Sequence, residues 1–252
     1  MHVIACGRPL ARLSRDRRGT SLLEFALGLP ILMALGGYGV EIANLALVNL
    51  RVSQIALQLA DNASRIGVSG GAATYQLREA DLNDVLQGAR LIGTGIKLTT
   101  YGRVTVSSLE NIAQTYSDHA TDTSPVQRIH WQRCMGKGVQ DASGTILAGY
   151  DSSYGTTATT SGVDAAYANR GTTSSGMGSP VVIAPSGAGV IFVEVNYKYQ
   201  PLFGTLYVTP PKIRYVASTI VRDRRDFSRI YSPTPASGTP APVASTCNRY
   251  TV

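Results

Sequence analysis

The sequence is poor in the residues from which most enzyme sites are built. It contains only three histidines, and no spacing of His, Cys, Asp and Glu resembles a metal site. His119 follows Asp118 directly, but no G-x-S-x-G sequence supplies the nucleophile of a hydrolase. His130 precedes Trp131 on a predicted strand, which favours an ordinary sheet residue. We therefore expect no enzymatic activity, no metal or other cofactor and no small-molecule substrate, and a periplasmic hydrolase using His119 is the least favoured alternative.

Cysteine is equally scarce, with three residues in the chain: Cys6, Cys134 and Cys247. Cys6 lies in a basic leader, whereas the other two lie far downstream of an apolar run. If the downstream part is exported, Cys134 and Cys247 form an even pair that could bridge. Closing so long a loop would stabilise the fold by about 4–5 kcal/mol in the chain-entropy model. Two unrelated thiols are the alternative.

Positive charge is concentrated at the N-terminus. The formal net charge of the chain is +7, and residues 1–19 carry five arginines against one acidic residue. Residues 20–40 follow with Glu24 as their only charged side chain, and this length spans a bilayer core of about 30 Å as a helix. Because a basic flank stays in the cytoplasm, we expect a cytoplasmic N-terminus, an exported remainder and no nucleic-acid partner. A cleaved secretory signal is the alternative, but the run is too long and lacks a small-x-small cleavage site.

The helical pattern continues beyond the apolar run. Apolar residues recur at steps of three and four up to Ile66, polar residues fall between them, and glycines follow. We predict one helix over 20–66, a length of about 70 Å, with Pro30 as a candidate kink. A second helix is predicted over about 76–92.

Beyond the second helix the period of the apolar residues changes to two. This pattern predicts an antiparallel sheet of about four strands with one solvent-exposed side. The predicted strands are residues 103–110, 127–134, 189–203 and 213–222.

The predicted organisation is α+β. A basic leader occupies residues 1–19, the long helix 20–66 and an exported domain 67–231. Within that domain residues 135–188 are rich in Gly, Ser, Thr and Ala, which predicts a long surface insertion. Residues 232–252 form a Pro-rich tail, and its stretch 232–246 is predicted to be extended.

A run of charges, RDRRD at 222–226, follows the last predicted strand. We interpret it as a solvated strand end, with contact to protein or lipid headgroups as the alternative.

Glu24 is the most pointed signal in the chain. A charge among apolar residues of a membrane span costs about 2.5–3.5 kcal/mol on insertion scales. A polar residue near the interface, with its charge reaching the headgroups, is one interpretation. The other requires a positive charge within the membrane, which a free α-amino group at Thr20 would supply.

The stretch RRGTSLLEFALGLP, residues 17–30, resembles the class 3 signal of type IV prepilins, and within that class the TadE-like pseudopilins of the Tad/Flp tight-adherence (type IVc) pilus. The resemblance implies that prepilin peptidase cuts between Gly19 and Thr20, and that Glu24 at mature position five pairs with the new amine. The family signature is R-x-G-x-x-x-x-E-F-A-L-x-x-P, and its matches here are Arg17, Gly19, Glu24, Phe25, Ala26, Leu27 and Pro30.

The resemblance further implies a pilin-like minor subunit of the bacterial inner membrane, acting in pilus assembly or initiation and thereby in adhesion. Its implied partners are prepilin peptidase, other pilins or pseudopilins and the pilus platform proteins. The chain departs from the shortest TadE-like proteins by its insertion and its tail. The alternative is a single-pass anchored periplasmic binding or adhesin protein that never enters a filament. A filament subunit should be cut at Gly19, whereas an anchor need not be.

Overall fold

The structure is a computed structural model that describes residues 19–69, 74–113, 126–140, 143–144, 147, 149–154, 168–169, 176–231 and 242–249. The described residues fall into two compact units. The first unit holds the described residues up to Leu45 together with Pro201–Thr209, and the second holds those of Ala46–Gln200 and Pro210–Val252. The basic leader up to residue 18, with Cys6, and the His119 of the hydrolase alternative lie outside the described residues.

The predicted long helix is confirmed. Helix α1 runs over Thr20–Arg65, and it continues through Pro30. It ends where the sequence turns to glycine, since Gly67 adopts a φ of 156° that residues with a Cβ rarely take. In its second part, within the second unit, one stripe is buried at the helical spacing. The stripe consists of Val48, Val52, Ile55, Ala56, Leu59, Ala60 and Ala63.

Short elements connect α1 to the main sheet. The two-residue strands β1 (Val68–Ser69) and β2 (Tyr75–Gln76) pair antiparallel. The second predicted helix follows as α2 (Glu79–Ile92), with its apolar face buried. A 3-10 turn (Gly93–Ile96) and helix α3 (Leu98–Tyr101) lead into the sheet.

The sheet of the second unit is antiparallel and contains the four predicted strands. In the described part of the chain its order is β5-β4-β3-β6-β7. The third predicted strand ends at Lys198 rather than at 203, because the chain leaves the ladder and turns at Pro201, a residue without a backbone N–H. The strands are β3 (Gly102–Asn111), β4 (Gln127–Met135), β5 (Ala168–Asn169), β6 (Gly189–Lys198) and β7 (Lys212–Ile220).

The prediction of one solvent-exposed side is wrong. Glu194 and Asn196 lie on the polar face of β6, yet they are only 3% and 1% exposed. The Glu194 carboxylate accepts hydrogen bonds from Asn196 and from Arg214 of β7. Parts of the 135–188 insertion cover neighbouring positions: Tyr154 packs edge-on against Phe192 at 5.8 Å. The insertion is therefore partly core and not only surface, which composition alone does not reveal.

The charge run 222–226 is also only partly solvated. Arg222, Asp223 and Arg224 are exposed, whereas Arg225 is buried. Its guanidinium donates to the carbonyl oxygens of Ala63 and Ile66, at 3.0 and 2.8 Å. These carbonyls belong to the end of α1, where the last turn leaves them without intrahelical partners. Burial lowers the pKa of Arg225 to about 10, against the opposing charges of Glu110 and Asp223, so it stays protonated at neutral pH.

The Cys134–Cys247 bridge is present, and it joins residues 113 positions apart. The tail segment 242–249 packs instead of extending freely, since the Cys134 N–H donates to the Ser245 carbonyl at 2.7 Å. Arg103 is fully buried and donates to the carbonyls of Cys247, Gly136 and Arg249. The described part of the tail therefore packs against the sheet; residues 232–241 and 250–252 lie outside the described residues.

Candidate functional site

The first part of α1 exposes apolar side chains around the helix. Leu22 is 76% exposed and Leu32 68% exposed. The helix is long and apolar enough to cross a membrane by length and composition. Such a surface is unfavourable in water, and it is stable in lipid or among other apolar helices. The remaining large exposed apolar residues of this stretch include Leu23, Phe25, Leu27, Ile31, Met33 and Leu35.

The predicted processing site lies at the boundary of the helix. Thr20 is the first residue of α1, and the carbonyl of Gly19 accepts the hydrogen bond of the Leu23 N–H at 3.1 Å. Glu24 is exposed one turn further on. At a rise of about 1.5 Å per residue it lies about 6 Å along the axis from Thr20, on the same side of the helix. Residues four apart can interact directly, so an amine at Thr20 would be within reach of this carboxylate.

Phe25 and Pro30 lie on the same exposed part of α1. The Phe25 side chain is 64% exposed, as a residue that contacts lipid or a neighbouring helix would be. Pro30 lies inside the continuous helix. Its missing N–H leaves one carbonyl of the preceding turn without the usual intrahelical donor.

A second carboxylate of the helix, Glu41, holds a distant loop. It is fully buried, although it directly follows the apolar run. Its oxygens accept hydrogen bonds from the backbone N–H of Leu202 at 3.1 Å and of Phe203 at 3.1 Å. The buried carboxylate thus accepts from two backbone donors, in bonds of the charge-assisted kind. The clamp joins positions 161 and 162 residues apart in sequence.

Aromatic rings pack beside this clamp, within the same unit. Tyr207 lies 6.4 Å from the ring of Tyr38 and 5.7 Å from that of Phe203. Gly37 permits the approach, since a Cβ there would lie 2.6 Å from the Tyr207 hydroxyl. The loop thus contacts one turn of α1 through Gly37, Tyr38 and Glu41.

Comparisons with protein-family models, curated proteins and solved structures find no match.

A buried polar cluster lies in the sheet of the second unit. The Glu110 carboxylate is 3.0 Å from His130 Nδ1, and it accepts a hydrogen bond from the Ser108 hydroxyl at 2.7 Å. All three residues are about 1% exposed. In a catalytic triad the histidine lies between the serine and the carboxylate. Here the serine and the histidine both contact the carboxylate, so these contacts do not form a triad. Within the described residues no group of three or more His, Cys, Asp or Glu is placed to hold a metal ion.

Sequence reasoning missed Glu41 as a site residue. It lies in the amphipathic continuation of the helix, where a glutamate between apolar positions is unremarkable. The first feature of the sequence that could have indicated a role for Glu41 is its position: it is the first charged side chain after a long uncharged run. The second signal was the apolar segment 201–209, PLFGTLYVT, which interrupts the strand pattern.

Proposed function

We propose that this chain is a minor pilin or pseudopilin of a Tad-type (type IVc) pilus, anchored in the bacterial inner membrane and processed by prepilin peptidase. The observation that carries the proposal is the position of Glu24, one turn after the residue at which α1 begins, on an exposed apolar helix. An unpaired charge at the centre of a span costs about 2.5–3.5 kcal/mol, and near its end the charge still lies among apolar side chains. Cleavage after Gly19 creates the charge that compensates it.

The mechanism is electrostatic pairing between helices. An α-amino group with a pKa of about 7.7–8.0 is largely protonated at neutral pH. The new amine of Thr20 pairs with Glu24 of the same helix or, after assembly, with that of a neighbouring subunit, and the pairing between subunits sets the register in which the helices pack. The exposed leucines of α1 then exchange contacts with lipid for contacts with other subunits. Because both surroundings are apolar, little apolar surface has to face water when the helix moves from the membrane into the filament.

The partners follow from this role. Prepilin peptidase removes residues 1–19, other pilins or pseudopilins pack against α1, and the platform proteins with their ATPase insert the subunit into an initiating complex or a pilus. The domain after α1 is periplasmic, and the Cys134–Cys247 disulfide suits that oxidising compartment. The chain itself carries out no reaction; it contributes to assembly and thereby to adhesion.

A single-pass anchored periplasmic binding or adhesin protein is the second candidate. The exposed apolar part of α1 supports it, because the same helix serves as a permanent anchor. The two candidates differ in what happens to the leader, residues 1–19. A filament subunit loses it by cleavage, whereas an anchor functions without cleavage.

The test is the N-terminal sequence of the protein purified from cells with and without prepilin peptidase. We expect a start at Thr20 in the first and at Met1 in the second. A start at Met1 in both contradicts processing and favours the permanent anchor.

A second arm tests the charge pair. Glu24→Ala should enter the membrane as the parent does and yet reduce piliation severalfold, because the helices lose their register. Asp61→Ala, which removes a carboxylate from the last part of the same helix, is the control and should leave piliation near the parental level. Normal piliation of Glu24→Ala would remove the proposed role.

A further inference from the structure

The loop 201–209 presents an apolar surface that its own unit does not cover. Leu206 is 75% exposed, Leu202 59% and Phe203 48%. The loop contains no charged residue. Three large exposed apolar side chains within five residues are a contact surface for an apolar environment rather than for water.

The loop contacts α1 at the end of its apolar run. At about 1.5 Å per residue, Tyr38 and Glu41 lie about 27 and 32 Å along the axis from Thr20. The hydrocarbon core of a bilayer is about 30 Å thick. If α1 crosses the membrane from Thr20, the turn that holds the loop therefore lies at the far interface. Tyrosines such as Tyr38 and Tyr207 favour this level, where the ring is in an apolar region and the hydroxyl reaches water.

Glu41 explains how a carboxylate is tolerated at this depth. Its oxygens are occupied by the N–H groups of Leu202 and Phe203, so neither the charge nor these two backbone donors faces lipid unsatisfied. The same hydrogen bonds hold the two side chains of the loop beside the helix.

We propose that the 201–209 loop is a second membrane-contacting element, in which Leu202, Phe203 and Leu206 enter the periplasmic interface of the bilayer that α1 spans, with Glu41 holding the loop at that depth. The inference rests on the membrane anchoring contained in the proposed function. It assigns α1 a fixed depth, because an anchor at the end of the span opposes sliding of the helix along the membrane normal.

Continuity of the apolar surface favours lipid as the occupant. The loop lies beside the same helix whose side chains are exposed to the surroundings from Leu22 to Val40. Whatever solvates that helix in the membrane extends to the loop without a polar gap. The loop adds no charge that lipid would have to solvate.

The experiment places a tryptophan at the loop tip of the full-length chain. Leu206→Trp is reconstituted in phosphatidylcholine vesicles whose acyl chains carry bromine either near the headgroup or near the bilayer centre. Trp131 is the only native tryptophan and is 3% exposed, so the parent chain supplies the background signal. Leu91→Trp, at a 66% exposed position of α2, is the water-facing control. Leu32→Trp reports whether α1 spans the membrane.

We expect shallow bromines to reduce the added fluorescence of Leu206→Trp by about twofold or more, and that of Leu91→Trp hardly at all. Leu32→Trp should be quenched by deep bromines. If Leu32→Trp is quenched and Leu206→Trp is not, the loop inference is overturned and membrane anchoring stands. If neither is quenched, both fail. Protection of Leu206→Trp from an aqueous quencher only in assembled filaments would assign the loop to a subunit contact instead.

The role of Glu41 has its own arm. Glu41→Ala in the Leu206→Trp chain removes both acceptors, and shallow quenching should fall about twofold as the loop leaves the interface. Asp61→Ala removes another carboxylate of the same helix, outside its apolar run, and should leave the quenching unchanged. In both variants, unchanged deep quenching of Leu32→Trp verifies insertion. If shallow bromines quench the Leu206→Trp fluorescence as strongly with Glu41→Ala as without it, Glu41 does not hold the loop at the interface.

Discussion

At the residue scale, the second unit depends on charges that are buried together with specific partners. Arg133 of β4 is fully buried, and its Nε and Nη2 each donate to the Glu79 carboxylate at 2.8 Å. A bidentate pair of this kind is strong, and losing one member leaves the other charge buried without compensation. Glu79 thereby ties the start of α2 to the sheet.

Removing that carboxylate should be costly. We expect Glu79→Ala to lower the free energy of unfolding by about 3–5 kcal/mol, measured by denaturant titration of the detergent-solubilised chain. Asp61→Ala removes the exposed ion pair with Arg65 and should cost less than about 1 kcal/mol. Equal costs for the two variants would show that burial does not strengthen the dependence on Glu79.

Asp226 should make stability depend on pH. Partial burial on its own would raise its pKa, but hydrogen bonds from Tyr231 and Ser228 outweigh burial and leave the pKa below its ordinary value. The folded state therefore favours the carboxylate. The resulting stability is complete above the unfolded pKa of about 3.9 and is lost as pH falls through the folded pKa.

Unfolding titrations between neutral and acidic pH check this sign. The stability difference between the parent and Asp226→Asn should be largest near neutral pH and shrink below about pH 4. Asp223→Asn, at an exposed position of the same run, is the control and should follow the parent. A difference that grows on acidification would contradict the assigned shift.

Residue identity was informative where a residue type is itself unusual in its surroundings. Glu24 in an apolar run and two downstream cysteines could be singled out from the sequence alone. Glu41, Glu79 and Arg225 could not, because glutamates and arginines are common and their roles come from partners tens to well over a hundred residues away.

At the scale of elements, periodicity was a reliable guide. The second part of α1, the second helix and the four principal strands follow the three-to-four and two-residue patterns, because side chains return to the same face of a helix every three to four residues and to the same face of a strand every two. The errors occur where the pattern of neighbouring residues carries no information about the structure. The third strand is predicted too long because Tyr199, Leu202 and Phe203 continue its apolar character after the ladder ends.

The end of α1 is stabilised by a residue from the charge run. Arg225→Met removes the donors to the Ala63 and Ile66 carbonyls while keeping much of the apolar stem. We expect a loss of about 1–3 kcal/mol in unfolding free energy, together with faster hydrogen exchange in the last turn of α1. Arg224→Met alters an exposed neighbour and should change neither. Unaltered exchange in Arg225→Met would show that the cap is not needed.

At the scale of the whole molecule, the disulfide closes the longest covalent loop of the second unit's described residues. Replacing both cysteines, Cys134→Ala with Cys247→Ala, should lower the unfolding free energy by about 4–5 kcal/mol if the chain-entropy model holds. Reduction of the parent should reproduce the effect. Cys6→Ala is the control that leaves this pair intact. A reduced parent as stable as the oxidised one would contradict a stabilising bridge.

Local patterns were sufficient for the α+β class, the extent of α1 and the exceptional position of Glu24, because these depend on neighbours within a few residues. The covered polar face of the sheet, the packed tail segment and the Glu41 clamp depended on the tertiary structure. Each brings together groups that are far apart in sequence. Composition does not specify which distant backbone donor or apolar side chain forms the contact. Only the tertiary structure decides that the Glu41 carboxylate, which follows the apolar run of α1, accepts a hydrogen bond from a loop 161 residues away in sequence.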